Sequence, residues 1–171
     1  DLDEEGKEKF IAPGVLIDNR WEALDVGKIL EDVGQSRFSS ASGLHPSRGE
    51  TEPAPAKGYS WLKAPRYNGL PMEVGPLARV LVNYHGNTWV KKEVDAFLQQ
   101  VKLPLERLVS VLGRHVCRGL EARWVAAQAL RWLDELEIDG PPARDFDIPA
   151  TGAGYGLVEA PRGALGHWLA I

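Results

Sequence analysis

The sequence predicts an α+β fold that is predominantly helical, with long helices of a bundle, short peripheral strands and a C-terminal β-hairpin. Apolar residues recur at helical spacing from Leu105 to Leu133, which is the strongest periodic signal in the chain. Short apolar runs between turn residues near the start indicate peripheral strands. Two extended segments bent at Pro161 and Gly163 indicate the hairpin.

We interpret the chain as one partial domain with four regions. These are a strand and helix region over 1–38, a loop rich in Pro, Ser and Gly over 39–58, a helical core over 59–140, and a loop with an extended segment over 141–171. The absence of an initial Met and the apolar end at 168–171 predict an internal piece of a longer protein.

Composition and charge exclude several classes of function. The 171 residues are 44% hydrophobic and 26% charged, which suits a chain with one core. The net charge is −4 and the Lys and Arg residues are scattered, so we expect no nucleic-acid partner. The apolar runs are too short for direct membrane insertion, and the acidic start at 1–5 is unlike a signal peptide.

The first region should contain two strands and a short helix. Residues 15–17 form an apolar run, the polar residues 18–20 supply turn chemistry, and residues 23–26 form a possible second strand. Residues 28–34 carry apolar side chains on one helical side and end in glycine, which predicts a short helix. Residues 39–58 are either a mobile linker or a loop laid over another surface, with an order that depends on a partner.

Three helical segments are expected in the centre of the chain. Pro76 suits a first helical position and Gly86 suits a left-handed cap, which bounds the first helix. A second helix is predicted over 90–102, and a third segment opens at Pro104 and runs toward Ile138. Unbroken, the third segment would span roughly 50 Å at ~1.5 Å per residue, so it must bend or meet protein outside this chain.

The third segment has one apolar stripe and two internal glycines. Gly113 and Gly119 each cost about 1 kcal/mol relative to Ala in a helix, which indicates that another backbone approaches them closely. The stripe consists of Leu105, Leu108, Val109, Leu112, Val116, Leu120, Trp124, Ala127, Leu130 and Leu133.

The residue types that usually hold metals or nucleotides form no recognisable site. Cys117 is the one cysteine in the sequence, so no disulfide and no CxxC clip can form within the chain, and we expect it to be a small buried side chain. The Gly-rich run at 152–156 lacks the flanking strand and helix of a dinucleotide-binding loop. No HxxxH pair is formed by the four histidines, His45, His85, His115 and His167.

Arg162 is the candidate functional residue. Pro161 restricts the backbone before it and Gly163 permits an unusual turn after it, so we expect the guanidinium on a bend in a dry environment. The residues alone leave two interpretations open. Arg162 either donates to an anion or polar ligand, or forms a structural ion pair with Glu159.

Several segments resemble, in order, the signature segments of the nickel-iron hydrogenase large subunit. They are 10–18 (FIAPGVLID), 29–36 (ILEDVGQS), 59–67 (YSWLKAPRY), 72–79 (MEVGPLAR), Gly113 and Arg114 with Arg118, and 159–168 (EAPRGALGHW). Ordered matches are more specific than any single motif. The resemblance implies that the chain is part of the nickel-iron hydrogenase large-subunit fold.

The resemblance also implies a reaction and a cofactor. In that family, H2 is oxidised or evolved at a nickel-iron centre with one carbonyl and two cyanide ligands on the iron. The four thiolates that hold the metals come from two CxxC motifs, which lie outside this chain. Arg162 matches the family arginine that hydrogen-bonds a cyanide and lies above the metals, and Pro161 matches the neighbour that walls the same pocket. No metal ligand is assigned to this chain.

The implied partners are an iron-sulfur small subunit and the missing parts of the large subunit. The expected direction is H2 uptake, and the isolated chain should have no hydrogenase activity. We expect Arg162 to act electrostatically rather than as a base, because a pKa above about 12 leaves little neutral arginine. The subgroup, the electron acceptor and the cellular location stay open.

Two other interpretations are weighed against this one. The quinone-site subunit of respiratory complex I shares the ancestry and carries an EAPRGE or EAPKGE segment, but Ala164 stands where that family has Glu, and residues 165–168 follow the hydrogenase form. The other interpretation is a non-catalytic scaffold or interaction module.

Five cations recur in the matched segments. We expect them to form buried ion pairs that tie helices together, with Glu73 and Glu121 as partners, because arginine relays protons poorly. The five are Lys63, Arg66, Arg79, Arg114 and Arg118.

Purified alone, this chain is expected to contain neither nickel nor iron, because the implied cysteine pairs lie outside it. Elemental mass spectrometry measures this directly. Near-stoichiometric metal would contradict the prediction and would mean that Cys117 and the histidines build a site.

Overall fold

The structure is a computed structural model that describes residues 9–141 and 146–171. The predicted acidic start and the first residues of the predicted loop after Pro141 lie outside the described residues. Two compact units are present. The first contains the described residues within Asp1–Ala23, Val74–Ile148 and Glu159–Ala164, and the second contains Leu24–Glu73, Pro149–Val158 and Leu165–Ile171. The α+β class is confirmed, whereas the division into four regions stays a prediction.

A tight hairpin lies near the start of the first unit. β1 (Val15–Ile17) pairs antiparallel with β2 (Arg20–Glu22). Asp18 and Asn19 form the turn with φ of 50° and 60°, the left-handed conformation that two-residue hairpin turns require and that Asp and Asn tolerate. The predicted first strand is confirmed. The predicted second strand at 23–26 is wrong, because a two-residue turn starts the return strand at once.

Two helices follow one another without a connecting loop. α1 (Pro76–Gly86) and α2 (Thr88–Val101) meet at Asn87, whose side chain accepts hydrogen bonds from two backbone N–H groups in the first turn of α2. Both predicted helices are confirmed. The predicted left-handed cap at Gly86 is wrong, because Asn87 ends α1 in an extended conformation.

The third segment is divided into two helices. A 3-10 helix (Leu105–Leu108) precedes α3 (Val111–Asp134), and Ser110 caps α3 by accepting a hydrogen bond from the backbone N–H of Gly113. The third segment is therefore not one unbroken helix, because Val109 and Ser110 interrupt it. The core of the unit is formed by Leu77, Val80, Val90, Val94, Leu98, Leu108, Cys117, Leu120 and Trp124.

The predicted apolar stripe is only partly buried. Leu120 and Trp124 belong to the core, but Leu130 and Leu133 are 67% and 66% exposed. The described residues thus leave Leu130 and Leu133, near the end of α3, uncovered. An apolar helix face of this kind is typical of a surface that packs against further protein.

The two glycines of α3 have different surroundings. A Cβ at Gly113 would meet the backbone of Leu108, whose Cα would lie 2.6 Å away. A Cβ at Gly119 would meet no atom of the described residues within 4 Å. The prediction of close backbone approach is confirmed for Gly113. For Gly119 it is wrong among the described residues.

The second unit is organised around an antiparallel pair, β3 (Ile29–Asp32) and β4 (Ala64–Tyr67). The predicted helix over 28–34 is therefore wrong. Asp32 accepts a hydrogen bond from the backbone N–H of Gly34, a local turn that ends the strand. The strand depends on a partner more than thirty residues later, which local periodicity cannot reveal.

Residues 39–58 form a loop that is hydrogen-bonded within the second unit. The backbone N–H of Glu31 donates to the carbonyl oxygen of Leu44 at 2.8 Å. Lys63 Nζ donates to the carbonyl oxygen of Glu50 at 2.9 Å. Of the two sequence alternatives, a loop laid over another surface is the one observed.

The C-terminal hairpin is confirmed. β5 (Ala153–Ala160) and β6 (Gly163–Ala170) pair with each other and are joined by Pro161 and Arg162. Most of the Gly-rich run at 152–156 lies in β5. Within 9–141 and 146–171, no helix combines the length and the apolar character that crossing a bilayer requires.

Replacing Gly113 by Ala should destabilise the protein, whereas Gly119→Ala should not. The first methyl group must displace backbone at a cost of about 1–3 kcal/mol. The second adds helix propensity worth up to about 1 kcal/mol. Denaturant unfolding of the two variants tests this pair, and equal midpoints would contradict the prediction.

Cys117 should be unreactive in the folded protein. It has no exposed surface, and burial raises the pKa of its thiol to about 12. Because the unfolded thiol loses its proton near 9.0 while the folded thiol keeps it, stability should fall as the pH rises from about 9 toward 12. Iodoacetamide at pH 8 should leave Cys117 unmodified until denaturant is added, as read by peptide mass spectrometry. Rapid modification without denaturant would contradict this.

Candidate functional site

The candidate site is the turn at Pro161 and Arg162, which packs against the start of α1. Gly75, just before α1, has φ of 99°, and Gly163, just after the turn, has φ of 155°. A Cβ at Gly75 would lie 2.7 Å from the carbonyl oxygen of Arg162, and a Cβ at Gly163 would lie 2.5 Å from Cγ2 of Val74. Both positions require glycine, for the backbone conformation and for space. The backbone of Arg162 is therefore held directly against the residues that begin α1.

Arg79, one turn into α1, forms a bidentate ion pair with Glu121 of α3. Nε donates to Oε1 at 2.6 Å, and Nη2 donates to Oε2 at 2.8 Å. The two side chains are only 11% and 10% exposed. The hydrogen bonds to Glu121 raise the pKa of Arg79 above its ordinary value, although burial opposes this. The prediction that Glu121 pairs with one of the five cations is confirmed.

The same guanidinium binds the residues immediately before Arg162. Nη1 donates to Oε2 of Glu159 at 2.8 Å and to the carbonyl oxygen of Ala160 at 2.9 Å. Nη2 also lies 3.4 Å from the carbonyl oxygen of Pro161. Three consecutive residues thus share one planar donor group, an arrangement that the single ammonium of lysine could not reproduce.

Arg162 itself is exposed, so the described residues do not form the dry environment expected from the sequence. Its backbone is packed but its side chain is not. The ion pair with Glu159, one of the two alternatives left open by the sequence, is not formed, and Glu159 binds Arg79 instead. No carboxylate of the described residues pairs with Arg162. The donation of Arg162 to an anion or polar ligand stays a prediction.

Two of the other predicted cations have partners in the second unit. Lys63 Nζ lies 3.4 Å from Oε2 of Glu31, and Arg66 Nη2 lies 2.9 Å from Oδ2 of Asp32. These carboxylates belong to β3, so the prediction that these two cations tie helices together is wrong. The backbone hydrogen bond from Gly34 lowers the pKa of Asp32, and Arg66 lowers it further.

The described histidines, which are possible metal ligands, do not come together in one cluster. His45 Nδ1 accepts a hydrogen bond from the backbone N–H of Ser47 and caps the 3-10 helix Pro46–Arg48. The His85 ring lies 5.5 Å from the ring of Tyr84. In the part of the chain that the structure describes, no group of three or more His, Cys, Asp and Glu side chains could hold a metal ion.

Sequence reasoning missed the contact between Arg79 and the turn. The available signal was Gly75, since a glycine directly before a helix-starting proline marks a place where a side chain is disfavoured. That signal indicates a close approach but does not identify what approaches.

Comparison with known proteins identifies the family. All residues, 1–171, match the family model for nickel-dependent hydrogenase. The chain belongs to the nickel-dependent hydrogenase family. This confirms the resemblance found in the sequence, and it favours the hydrogenase interpretation over a respiratory complex I subunit.

Individual hydrogenases match this chain over part of their own length. The periplasmic NiFeSe hydrogenase large subunit of Desulfomicrobium baculatum is 38% identical over 179 residues, which cover 99% of this chain and 35% of that protein. The uptake hydrogenase large subunit of Bradyrhizobium diazoefficiens is 40% identical over 158 residues, 75% of this chain and 26% of that protein. The structure of H2-activated D. baculatum NiFeSe hydrogenase has a TM-score of 0.80 at 37% identity and covers 99% of this chain and 37% of that one. The chain thus spans about a third of the length of these relatives and shares their fold there.

The family implies a nickel-iron centre in the full-length protein, and the chemistry of the turn limits what this chain can contribute to it. Arg162 carries a permanent positive charge and only N–H donors, so it cannot ligate a metal cation but suits an anionic ligand of the metal. Pro161 has no N–H group and offers its ring as a wall. The turn therefore fits an outer contact to such a centre rather than a metal ligand.

Proposed function

We propose that this chain is the arginine-bearing segment of a nickel-iron hydrogenase large subunit, and that the full-length protein converts H2 reversibly to two protons and two electrons. One observation carries the proposal. The backbone of Arg162 is fixed against α1, while its guanidinium is exposed and has no carboxylate partner among the described residues. An arginine held in this way is preorganised to bind a ligand that comes from outside this chain.

The role of Arg162 is to hold an anionic cyanide ligand of the iron and to stabilise negative charge. When bound, the nickel-iron centre supplies the heterolytic splitting of H2. A planar guanidinium donates strong, directed hydrogen bonds to an anion, and a fixed positive charge has its largest effect where water is excluded. Arg162 is a poor general base, because its pKa above about 12 keeps it protonated. Pro161 restricts the turn and walls the pocket.

The proposal includes two partners. The missing parts of the large subunit supply the metal-binding thiolates and cover the turn, and an iron-sulfur small subunit accepts the electrons. The exposed apolar residues Leu130 and Leu133 support the presence of covering protein. The D. baculatum relative, of which this chain matches 35%, is itself a large subunit. The uptake direction is supported by the name of the B. diazoefficiens relative.

Arg162→Lys in the full-length enzyme should lower kcat for H2 oxidation by about a hundredfold, the usual effect of losing one charge-stabilising donor. Lysine keeps the charge but loses the planar fork, so the nickel and iron content should not change. Dye reduction under H2 measures the activity, and elemental analysis measures the metals.

Arg131→Lys is the matched control, because it makes the same replacement in the last turn of α3, away from the turn that carries Arg162. It should retain full activity. If Arg162→Lys were as active as the control, the role assigned to Arg162 would be wrong.

A further inference from the structure

Two contacts fix the backbone on both sides of Arg162. Before it, the carbonyl oxygens of Ala160 and Pro161 lie 2.9 and 3.4 Å from the guanidinium of Arg79. After it, its own carbonyl oxygen lies against Gly75, where a Cβ would be only 2.7 Å away. Both contacts come from the start of α1, between Gly75 and Arg79. The direction in which the Arg162 side chain leaves the turn is therefore set by α1.

We propose that Arg79 is a positioning residue for Arg162: through its hydrogen bonds to the turn, it keeps the Arg162 guanidinium directed at the ligand that Arg162 binds. This inference rests on the proposed function of Arg162. Arg79 is buried and engaged through all of its nitrogens, so it does not touch substrate itself.

A purely structural role for Arg79 is the competing explanation. Its pair with Glu121 joins α1 to α3, so its loss should also weaken the helix packing. That pair needs only Nε and Nη2, however, while Nη1 is used entirely by Glu159 and Ala160. The contacts of Nη1 therefore join Arg79 to the turn and do not join α1 to α3.

The test uses Arg79→Lys in the full-length enzyme with its small subunit. Lysine can keep one ionic contact with Glu121 but cannot span Glu121 and the turn together. The first readout is amide hydrogen exchange of the peptide covering 157–166, compared with peptides from α3. We expect exchange at the turn to accelerate by about tenfold or more and exchange in α3 to change much less, because lysine keeps an ionic contact with Glu121 while the turn is released.

The second readout is kinetic. Arg79→Lys should lower kcat by about tenfold and leave KM for H2 within about twofold, since misplacement of a catalytic group acts on the transition state. Combined with Arg162→Lys, it should cause no further loss, because residues that act as one unit are not additive. Arg123→Gln, which removes the α3 to α2 ion pair with Glu93, is the control and should change neither readout.

Unchanged exchange at the turn in Arg79→Lys, or activity losses that multiply in the double variant, would overturn the proposal. If Arg79→Lys fails to assemble, Glu159→Gln replaces it, because Glu159 is 43% exposed and touches Arg79 only from the hairpin side. It should accelerate exchange at the turn in the same direction, and no acceleration would overturn the proposal. Full activity of Arg162→Lys would instead defeat the proposed function of Arg162, whatever the exchange at the turn shows.

Discussion

The arrangement of the first unit depends on the buried guanidinium of Arg79. Removing a charge from water is costly unless hydrogen bonds and an opposite charge compensate it. Glu121 supplies the opposite charge, and the turn residues Glu159 and Ala160 satisfy the remaining nitrogen. The helices and the turn are therefore mutually dependent, because neither alone provides enough acceptors for this cation.

Close backbone packing complements this electrostatic contact. Gly75 and Gly163 leave no room for a side chain where the turn meets α1. Gly113 similarly lets α3 start directly against the 3-10 helix Leu105–Leu108. In both places the absence of a Cβ brings two backbones together, so a small displacement of one must move the other. The turn is thus attached to the helical part of the unit by contacts that leave little freedom.

The sequence predicted the features that depend on neighbouring residues and missed those that depend on distant ones. The helices from Pro76 and Thr88 follow from local periodicity and capping residues, and the hydrogenase family follows from ordered motifs. Local periodicity predicts a helix for Ile29–Asp32, whereas the structure has a strand there, because its partner lies in another part of the chain. The exposure of Arg162 could not be foreseen, because burial depends on everything that packs around a residue. The partner of Glu159 was missed for the same reason, since nothing near it in sequence indicates Arg79.

The sequence separation between Arg79 and the turn also has a consequence for folding. Asn87 joins two helices through contacts between residues a few positions apart, whereas Arg79 and Glu159 are 80 residues apart. Closing so long a loop costs conformational entropy before any contact is gained, so we expect the helices to form first. The hairpin end then docks against Arg79 and supplies the remaining acceptors for its guanidinium. We therefore expect the segment that carries Arg162 to become ordered after the helices.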